Sequence, residues 1–366
     1  MANFAYLCKD MWCIKAHHPS AMKRSSILII YTGGTIGMKT DEATGALVPF
    51  DFSGIYEEFP SLKRLKVDLE VLTIKPPIDS SNVSVENWVD MARLIRDNYS
   101  KYDGFVVLHG TDTMSYSAAA LSFMLENLAK PVIFTGSQIP IGILRTDGRE
   151  NLITAIEIAG ARNEDGNPIV PEVALYFQNK LMRGNRTTKH SAEALNAFAS
   201  FNYQALADVG VSIQYNTQCI APYAPDFSDE FRISESLCND VIVVKLFPGI
   251  RPATLRAMLI DSGVRGAVLE TYGAGNAPTS DWFVDIVKEA IEKGVIVVNV
   301  SQCKDGAVQM HLYETGLALQ EAGVVSGHDM TIEAAVTKLM YVLGKNLPLS
   351  EALNLMRRPL RGEFTL

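Results

Sequence analysis

The chain alternates short apolar runs with longer segments of helical period. Ile27 to Tyr31 has no polar break, as strands buried on both faces of a parallel sheet do not. Val67 to Ile74 alternates like a half-exposed strand; Gly104 to Leu108 and Pro131 to Phe134 are again apolar, and Val173 to Phe177 makes one more strand. Helical patterns lie between them. Ser84 stands as an N-cap with Glu86 in the first turn, followed by Trp88, Met91, Ile95 and Tyr99 at helical spacing. Met114, Ala118, Leu121, Met124, Leu125 and Leu128 form a second stripe, and Asn151 to Gly160 a third helix with a glycine stop. This alternation predicts right-handed βαβ units around a mainly parallel sheet.

The pattern then changes. Thr217 to Asn239 is rich in Pro, Ser and acidic residues and reads as a linker. A second βα series follows: Val241 to Leu246, a helix near Pro252 to Ile260, Gly266 to Leu269, a helix from Trp282 to Lys293, and Val295 to Val300. The remainder reads as loop, with helices around Glu333 to Leu343 and Ser350 to Met356. A chain of 366 residues also exceeds the size at which one core stops growing. The expected fold class is therefore α/β. A larger N-terminal domain with a mainly parallel sheet (25–216) and a smaller C-terminal α/β domain (240–366) flank the linker (217–239), after an N-terminal extension (1–24).

Polar residues gather where the strands end. Four strands run into Thr32-Gly33-Gly34-Thr35, Asp79-Ser80-Ser81, His109-Gly110-Thr111-Asp112-Thr113 and Thr135-Gly136-Ser137-Gln138; a fifth leads towards Asn185-Arg186-Thr187-Thr188-Lys189. In one parallel sheet such ends share an edge, so they should converge on one crevice. Glycines 33 and 34 let the backbone turn sharply and lift the Thr35 hydroxyl, a possible nucleophile. Thr111-Asp112 is either an N-cap pair or a second reactive set. Lys189 is a candidate base for it, with His109 and His190 as rivals. Thr35 and Thr111 are both plausible first nucleophiles on chemistry alone.

Other chemistries fit poorly. The glycines do not follow G-x-G-x-x-G, no G-x-x-x-x-G-K-[ST] occurs, and there is no G-x-S-x-G elbow or H-E-x-x-H. The five cysteines (Cys8, Cys13, Cys219, Cys238, Cys303) form no C-x-x-C pair and read as reduced thiols; no metal site is expected. A net charge of −8 argues against nucleic-acid partners and acidic membranes, and no apolar run approaches a membrane span. The first residues lack a signal-peptide core, so a cytoplasmic setting is expected.

The TGGTIG of Thr32 to Gly37, the HGTDTM around Gly110, the DSS of Asp79 to Ser81 and the Lys189 loop together resemble the L-asparaginase family, in its cytoplasmic type I branch. The likeness runs from about Ser25 to the C-terminus. It implies hydrolysis of L-asparagine to L-aspartate and ammonia with no cofactor. Thr35 would be the first nucleophile and form a covalent acyl intermediate. Lys189 and Asp112 would tune Thr111, and Asp112 would also pair with the substrate's α-ammonium. Asp79, Ser80 and Ser81 would hold the substrate's carboxylate and amine, with Gly34 and Gly110 beside it and backbone N–H groups near Thr35 or Thr111 facing the oxyanion. Many family members carry a tyrosine on the loop after the first motif; Leu47 stands there in this chain, and Tyr313 resembles the tyrosine that relatives bring from a neighbouring subunit. A second asparagine site would comprise Glu270, Asn276, Ser301 and Cys303. Its usual arginine is Glu270 here, which implies weak or no activation by asparagine. The family also implies a homodimer or homotetramer. A mixed asparaginase–glutaminase, the asparaginase-like subunit of a tRNA amidotransferase and a non-catalytic amino-acid sensor are the rival readings.

Overall fold

The computed structural model describes residues 24–40, 45, 47–49, 59–224, 230–312 and 314–366. The large sheet begins with strands β1 (Ser25–Tyr31), β2 (Val67–Thr73), β3 (Gly104–Leu108), β4 (Val132–Thr135) and β5 (Val173–Phe177). β1 lies between β2 and β3, followed by β4 and β5, every pair parallel. Ile27 to Ile30 are fully buried because both faces of β1 are covered. Helix α1 (Val85–Asn98) turns Trp88, Met91, Ala92 and Ile95 inward; its start is fixed by Ser84, whose N–H donates to Asn87 Oδ1 at 2.9 Å. Helix α2 (Met114–Met124) is buried nearly all round, as its apolar composition requires, and helix α3 (Gly148–Gly160) covers the opposite face.

The sheet is not parallel throughout. β5 returns through Gln178 and Asn179, at φ 43° and 68°, into an antiparallel strand β6 (Lys180–Arg183). A two-residue turn with both central residues left-handed suits a tight hairpin. The 3₁₀ turn Gly184–Arg186 follows, then short strands β7 (Thr188–Lys189) and β8 (Phe198–Ala199), which pair with each other. Strands β9 (Ala207–Val209) and β10 (Ile213–Tyr215) extend the antiparallel edge. Leu125 and Leu128, expected on the second helix stripe, lie beyond it: α2 ends at Met124, and Leu125–Glu126 pairs with Arg232–Ile233.

The C-terminal sheet holds β11 (Val241–Lys245), β12 (Gly266–Thr271), β13 (Ile296–Ser301) and β14 (Val325–Ser326), all parallel. Helices α4 (Pro252–Arg256), α5 (Asp281–Glu292), α6 (Glu314–Glu321), α7 (Ile332–Gly344) and α8 (Leu349–Met356) flank it. α6 and β14 fall where the sequence suggested loop. α7 packs on α2 and joins the two halves: Met340 enters the core beneath α2, and Phe123 the core beneath α7. At the base of α7, Lys338 and Glu363 form an ion pair at 2.7 Å with both side chains fully buried. Among the described residues no helix is long and apolar enough to cross a membrane.

Candidate active site

The carboxyl ends of β1, β2 and β3 meet with almost no spare room. Gly34, at φ 86°, opens the 3₁₀ turn Thr35–Gly37, and a Cβ there would lie 2.4 Å from the Gly110 Cα. A Cβ on Gly110 would lie 2.5 Å from Ser80 Oγ. These two glycines let the three strand ends interlock. Tyr31, buried beneath the turn, donates from its hydroxyl to the Gly37 carbonyl (3.3 Å), and burial pushes its pKa up to about 12.

Thr35 is partly exposed at the start of that turn. Its hydroxyl makes no hydrogen bond to another described residue, and neither do the backbone N–H groups of Thr35 and Thr111. After the strand end that interlocks with this turn, the Lys189 ammonium donates to Thr111 Oγ1 at 2.9 Å and to Asp112 Oδ1 at 2.7 Å. The Thr111 hydroxyl donates onward to Gln138 Oε1 (3.2 Å). Lys189 reaches this point not from the end of β5, as the sequence suggested, but from β7, after the β5–β6 hairpin has doubled back.

The rival histidines stand elsewhere. His109 is buried, with Nδ1 on the Gly110 carbonyl at 2.7 Å and Nε2 on Ser117 Oγ at 2.9 Å, while Trp88 donates to that same hydroxyl. Desolvation holds its pKa down at about 4, which keeps the ring neutral. It braces the motif from below. His190 is exposed, its ring edge-on to Phe201.

Asp79 caps the 3₁₀ turn Ser80–Asn82, accepting from Ser81 N–H (3.0 Å) and Ser81 Oγ (2.8 Å). Those two bonds, the backbone one first, lower its pKa. Ser80 is buried; its Oγ accepts the Asp112 N–H at 3.3 Å and its carbonyl accepts Thr113 Oγ1 at 2.6 Å. It ties the second motif to the third and retains a hydroxyl proton to donate. Thr35, Asp79, Ser80, Ser81, Gly34, Gly110, Thr111, Asp112 and Lys189 therefore share one crevice. Tyr313 lies outside the described residues. Leu47 starts Leu47–Pro49, a strand paired with Met38–Thr40, and its side chain is not described.

Of two further groups, one was placed by the sequence without a role and the other was missed. Gln138 closes the TGSQ stretch; its own amide donates to Ala194 O, and its N–H is held by Asp147. Glu333 on α7 accepts from Thr188 Oγ1 at 2.6 Å, beside Lys189, and burial raises its pKa. The strand-end position was the available signal for Gln138. No local signal marked Glu333, which arrives from the other domain.

The second group, Glu270, Asn276, Ser301 and Cys303, sits at the carboxyl ends of β12 and β13. Ser301 Oγ donates to Gly273 O (2.6 Å) and accepts from Cys303 N–H (2.9 Å). Asn276 closes a turn onto Tyr272, and the Lys245 ammonium stands 4.0 Å from Glu270. Gln302, not singled out in the sequence, donates to the Leu246 and Glu270 carbonyls.

A cavity of about 1,170 Å³ lies between the His190–Gln204 stretch and Asp305–Ala307, and is lined by none of Thr35, Thr111, Asp112 and Lys189. The geometry above, not cavity size, marks the reactive groups.

Residues 26–221 match the family model for the asparaginase N-terminal domain, and residues 240–356 that for the glutaminase/asparaginase C-terminal domain. The chain belongs to the asparaginase family. Among its relatives, L-asparaginase 1 of Escherichia coli is 43% identical over 94% of this chain and 99% of that protein. The 60 kDa lysophospholipase of Mus musculus is 41% identical over 93% of this chain but only 62% of that longer protein. The crystal structure of L-asparaginase I from Vibrio cholerae superposes with a TM-score of 0.85 at 42% identity, covering 94% of this chain and all of the other. Shared architecture at that level makes the large mainly parallel sheet and the separate C-terminal domain with its own parallel sheet features of an asparaginase fold.

Proposed function

We propose that this protein hydrolyses L-asparagine to L-aspartate and ammonia, with Thr35 as nucleophile. The observation that carries the reading is the Lys189–Thr111–Asp112 contact, set on strand ends that interlock with the turn bearing Thr35.

Thr35 Oγ attacks the side-chain carboxamide carbon; a C–O bond forms and the carbonyl electrons move onto oxygen. The unpaired N–H groups of Thr35 and Thr111 receive that oxyanion. As the tetrahedral centre collapses the C–N bond breaks; a proton delivered through the Thr111 hydroxyl from the Lys189 ammonium lets ammonia leave, and the proton that Thr35 gives up on attack restores Lys189. Water then adds to the acyl carbon, the ester C–O bond breaks, and Thr35 recovers its proton as L-aspartate departs. Asp112 and Asp79 face the α-ammonium, and the Ser80 and Ser81 hydroxyls face the α-carboxylate. A site built of fixed polar groups rejects ligands that leave them unpaired.

The cytoplasmic setting, a homodimer or homotetramer, and Tyr313 as the tyrosine contributed across subunits belong to the same reading. At the second group, Glu270 offers a carboxylate where an effector carboxylate would need a cation, and Lys245 already stands opposite it; activation by asparagine is therefore weak or absent. Ammonia release from L-asparagine, with L-glutamine and a lysophospholipid as competing substrates, tests the assignment. Asparagine-selective release along a hyperbolic curve is expected. Release from glutamine alone, fatty-acid release alone, or no turnover would overturn it.

A further inference from the structure

The crevice lysine stands on a very short support. β7 is two residues long, Thr188 and Lys189, and pairs along one edge with Ala199 and Phe198. A 3₁₀ turn precedes it, and beyond it the His190 N–H turns onto the Ala197 carbonyl at 2.8 Å. An isolated two-stranded ladder is marginal by itself, and one this short leaves the roll of the backbone about its paired edge weakly opposed. Successive side chains of a strand point to opposite sides. The aim of Lys189 therefore depends on what Thr188 grips.

Thr188 grips the second domain. Its hydroxyl donates to Glu333 Oε1 at 2.6 Å; Glu333 is buried in the first turn of α7, and its Oε2 has no hydrogen-bond partner. That end of α7 is itself fixed. Thr331 caps it by accepting the Ala334 N–H at 3.1 Å, and Asp329 pairs with Arg186 at 2.9 Å, both side chains almost wholly buried. α7 also packs on α2, the helix that begins directly after Thr111-Asp112-Thr113. The contacts close a circuit: from Thr111 and Asp112 through α2, α7, Glu333 and Thr188 to Lys189, whose ammonium returns to Thr111 and Asp112. Within it the Thr188–Glu333 bond joins β7 to the body that carries the lysine's targets.

We propose that Glu333 is a positioning residue for Lys189, holding β7 through Thr188 so that the ammonium meets Thr111 and Asp112. Glu333 touches neither the substrate nor the reacting atoms. This role presupposes the proposed function, in which Lys189 supplies the proton for the departing ammonia. Misplacing a reacting group by about 1 Å can cost on the order of 10²-fold in rate. The loss falls on kcat, because Asp79, Ser80 and Ser81 still hold the substrate. Lys304 and Tyr116 also feel the Glu333 carboxyl, so the test must separate its charge from its hydrogen bond.

kcat and KM for ammonia release from L-asparagine, with thermal unfolding of each variant, provide that test. Glu333→Met fills the volume without an acceptor, and Thr188→Val removes the hydroxyl from the other end of the bond. Each should lower kcat by about tenfold or more and leave KM within about threefold. Glu333→Gln, which keeps an acceptor and loses the charge, should restore most of the rate lost in Glu333→Met. In a Lys189→Met background, Glu333→Met should cost nothing further, since a residue acting only through Lys189 has nothing left to aim. Should Glu333→Met not fold, Thr188→Val decides the matter alone. Wild-type kcat in Thr188→Val, a Glu333→Gln as impaired as Glu333→Met, or an undiminished second loss in the Lys189→Met background would overturn the positioning role while leaving Lys189 its own. Wild-type kcat in Lys189→Met would overturn the role of Lys189, and the positioning role with it.

Discussion

Replacing Lys189 by Met separates a catalytic lysine from a structural one. The side chain makes two contacts, at 2.9 Å to Thr111 and 2.7 Å to Asp112. The Lys189 side chain is 18% exposed and that of Asp112 62%, so water screens the pair and replaces much of what is lost. An ion pair of this kind contributes about 0–1 kcal/mol to folding. On a chain this long, 1 kcal/mol moves the melting temperature by less than about 3 °C. The catalytic loss is far larger: removing a positioned proton donor costs about 10²–10⁴ in rate, which is roughly 2.7–5.4 kcal/mol of transition-state stabilisation. Met keeps the length and apolar stem, so packing is preserved. Thermal unfolding followed by circular dichroism and ammonia release from L-asparagine, measured on the same preparation, should therefore diverge: stability nearly unchanged, kcat down by about two to four decades. A variant with near wild-type kcat, or one whose activity falls only as far as its folded fraction, would refute the role given to Lys189.

Further outcomes follow from the same geometry. His109 has its pKa held at about 4 when folded against 6.5 ordinarily, so its stabilising contribution is complete above about pH 6.5 and fades as pH falls towards 4. In urea titrations the advantage of wild type over His109→Asn should shrink by about 2–3 kcal/mol between pH 7 and pH 4.5; a constant difference would contradict a buried neutral ring. Gly34→Ala, at φ 86° and 2.4 Å from the Gly110 Cα, should cost at least about 2 kcal/mol and nearly all activity, whereas Gly210→Ala meets nothing within 4 Å and should be neutral in both assays. Glu363→Gln should destabilise by about 3–5 kcal/mol, and the double variant Lys338→Met, Glu363→Met should regain most of that in the same urea assay.

Much of this was legible in the chain because it is local. The unbroken apolar run of β1 demands burial on both faces, and the polar residues after β1 to β4 had to share an edge once those strands were parallel. Ser84 and Glu86 announced α1 for the same kind of reason. What could not be read depends on distant partners. The β5–β6 hairpin rests on left-handed backbone at Gln178 and Asn179, neither a glycine, so Lys189 was given the wrong route to the right place. α2 ends at Met124 because Leu125–Glu126 is captured by Arg232–Ile233, more than a hundred residues on. Glu333 reaches Thr188 from the second domain, and only tertiary contact reveals it. The histidines show the converse: sequence proximity offered both as bases, and burial and ring hydrogen bonds give His109 a structural task.

The central claim is that Thr35 carries the acyl group. Rapid acid quench of the enzyme turning over L-asparagine, followed by mass spectrometry of its peptides, addresses it directly, with Thr35→Ala run in parallel. The account predicts an aspartyl ester on the peptide containing Thr35 and no ammonia release from the variant. An ester on the Thr111 peptide, or undiminished turnover in Thr35→Ala, would contradict it.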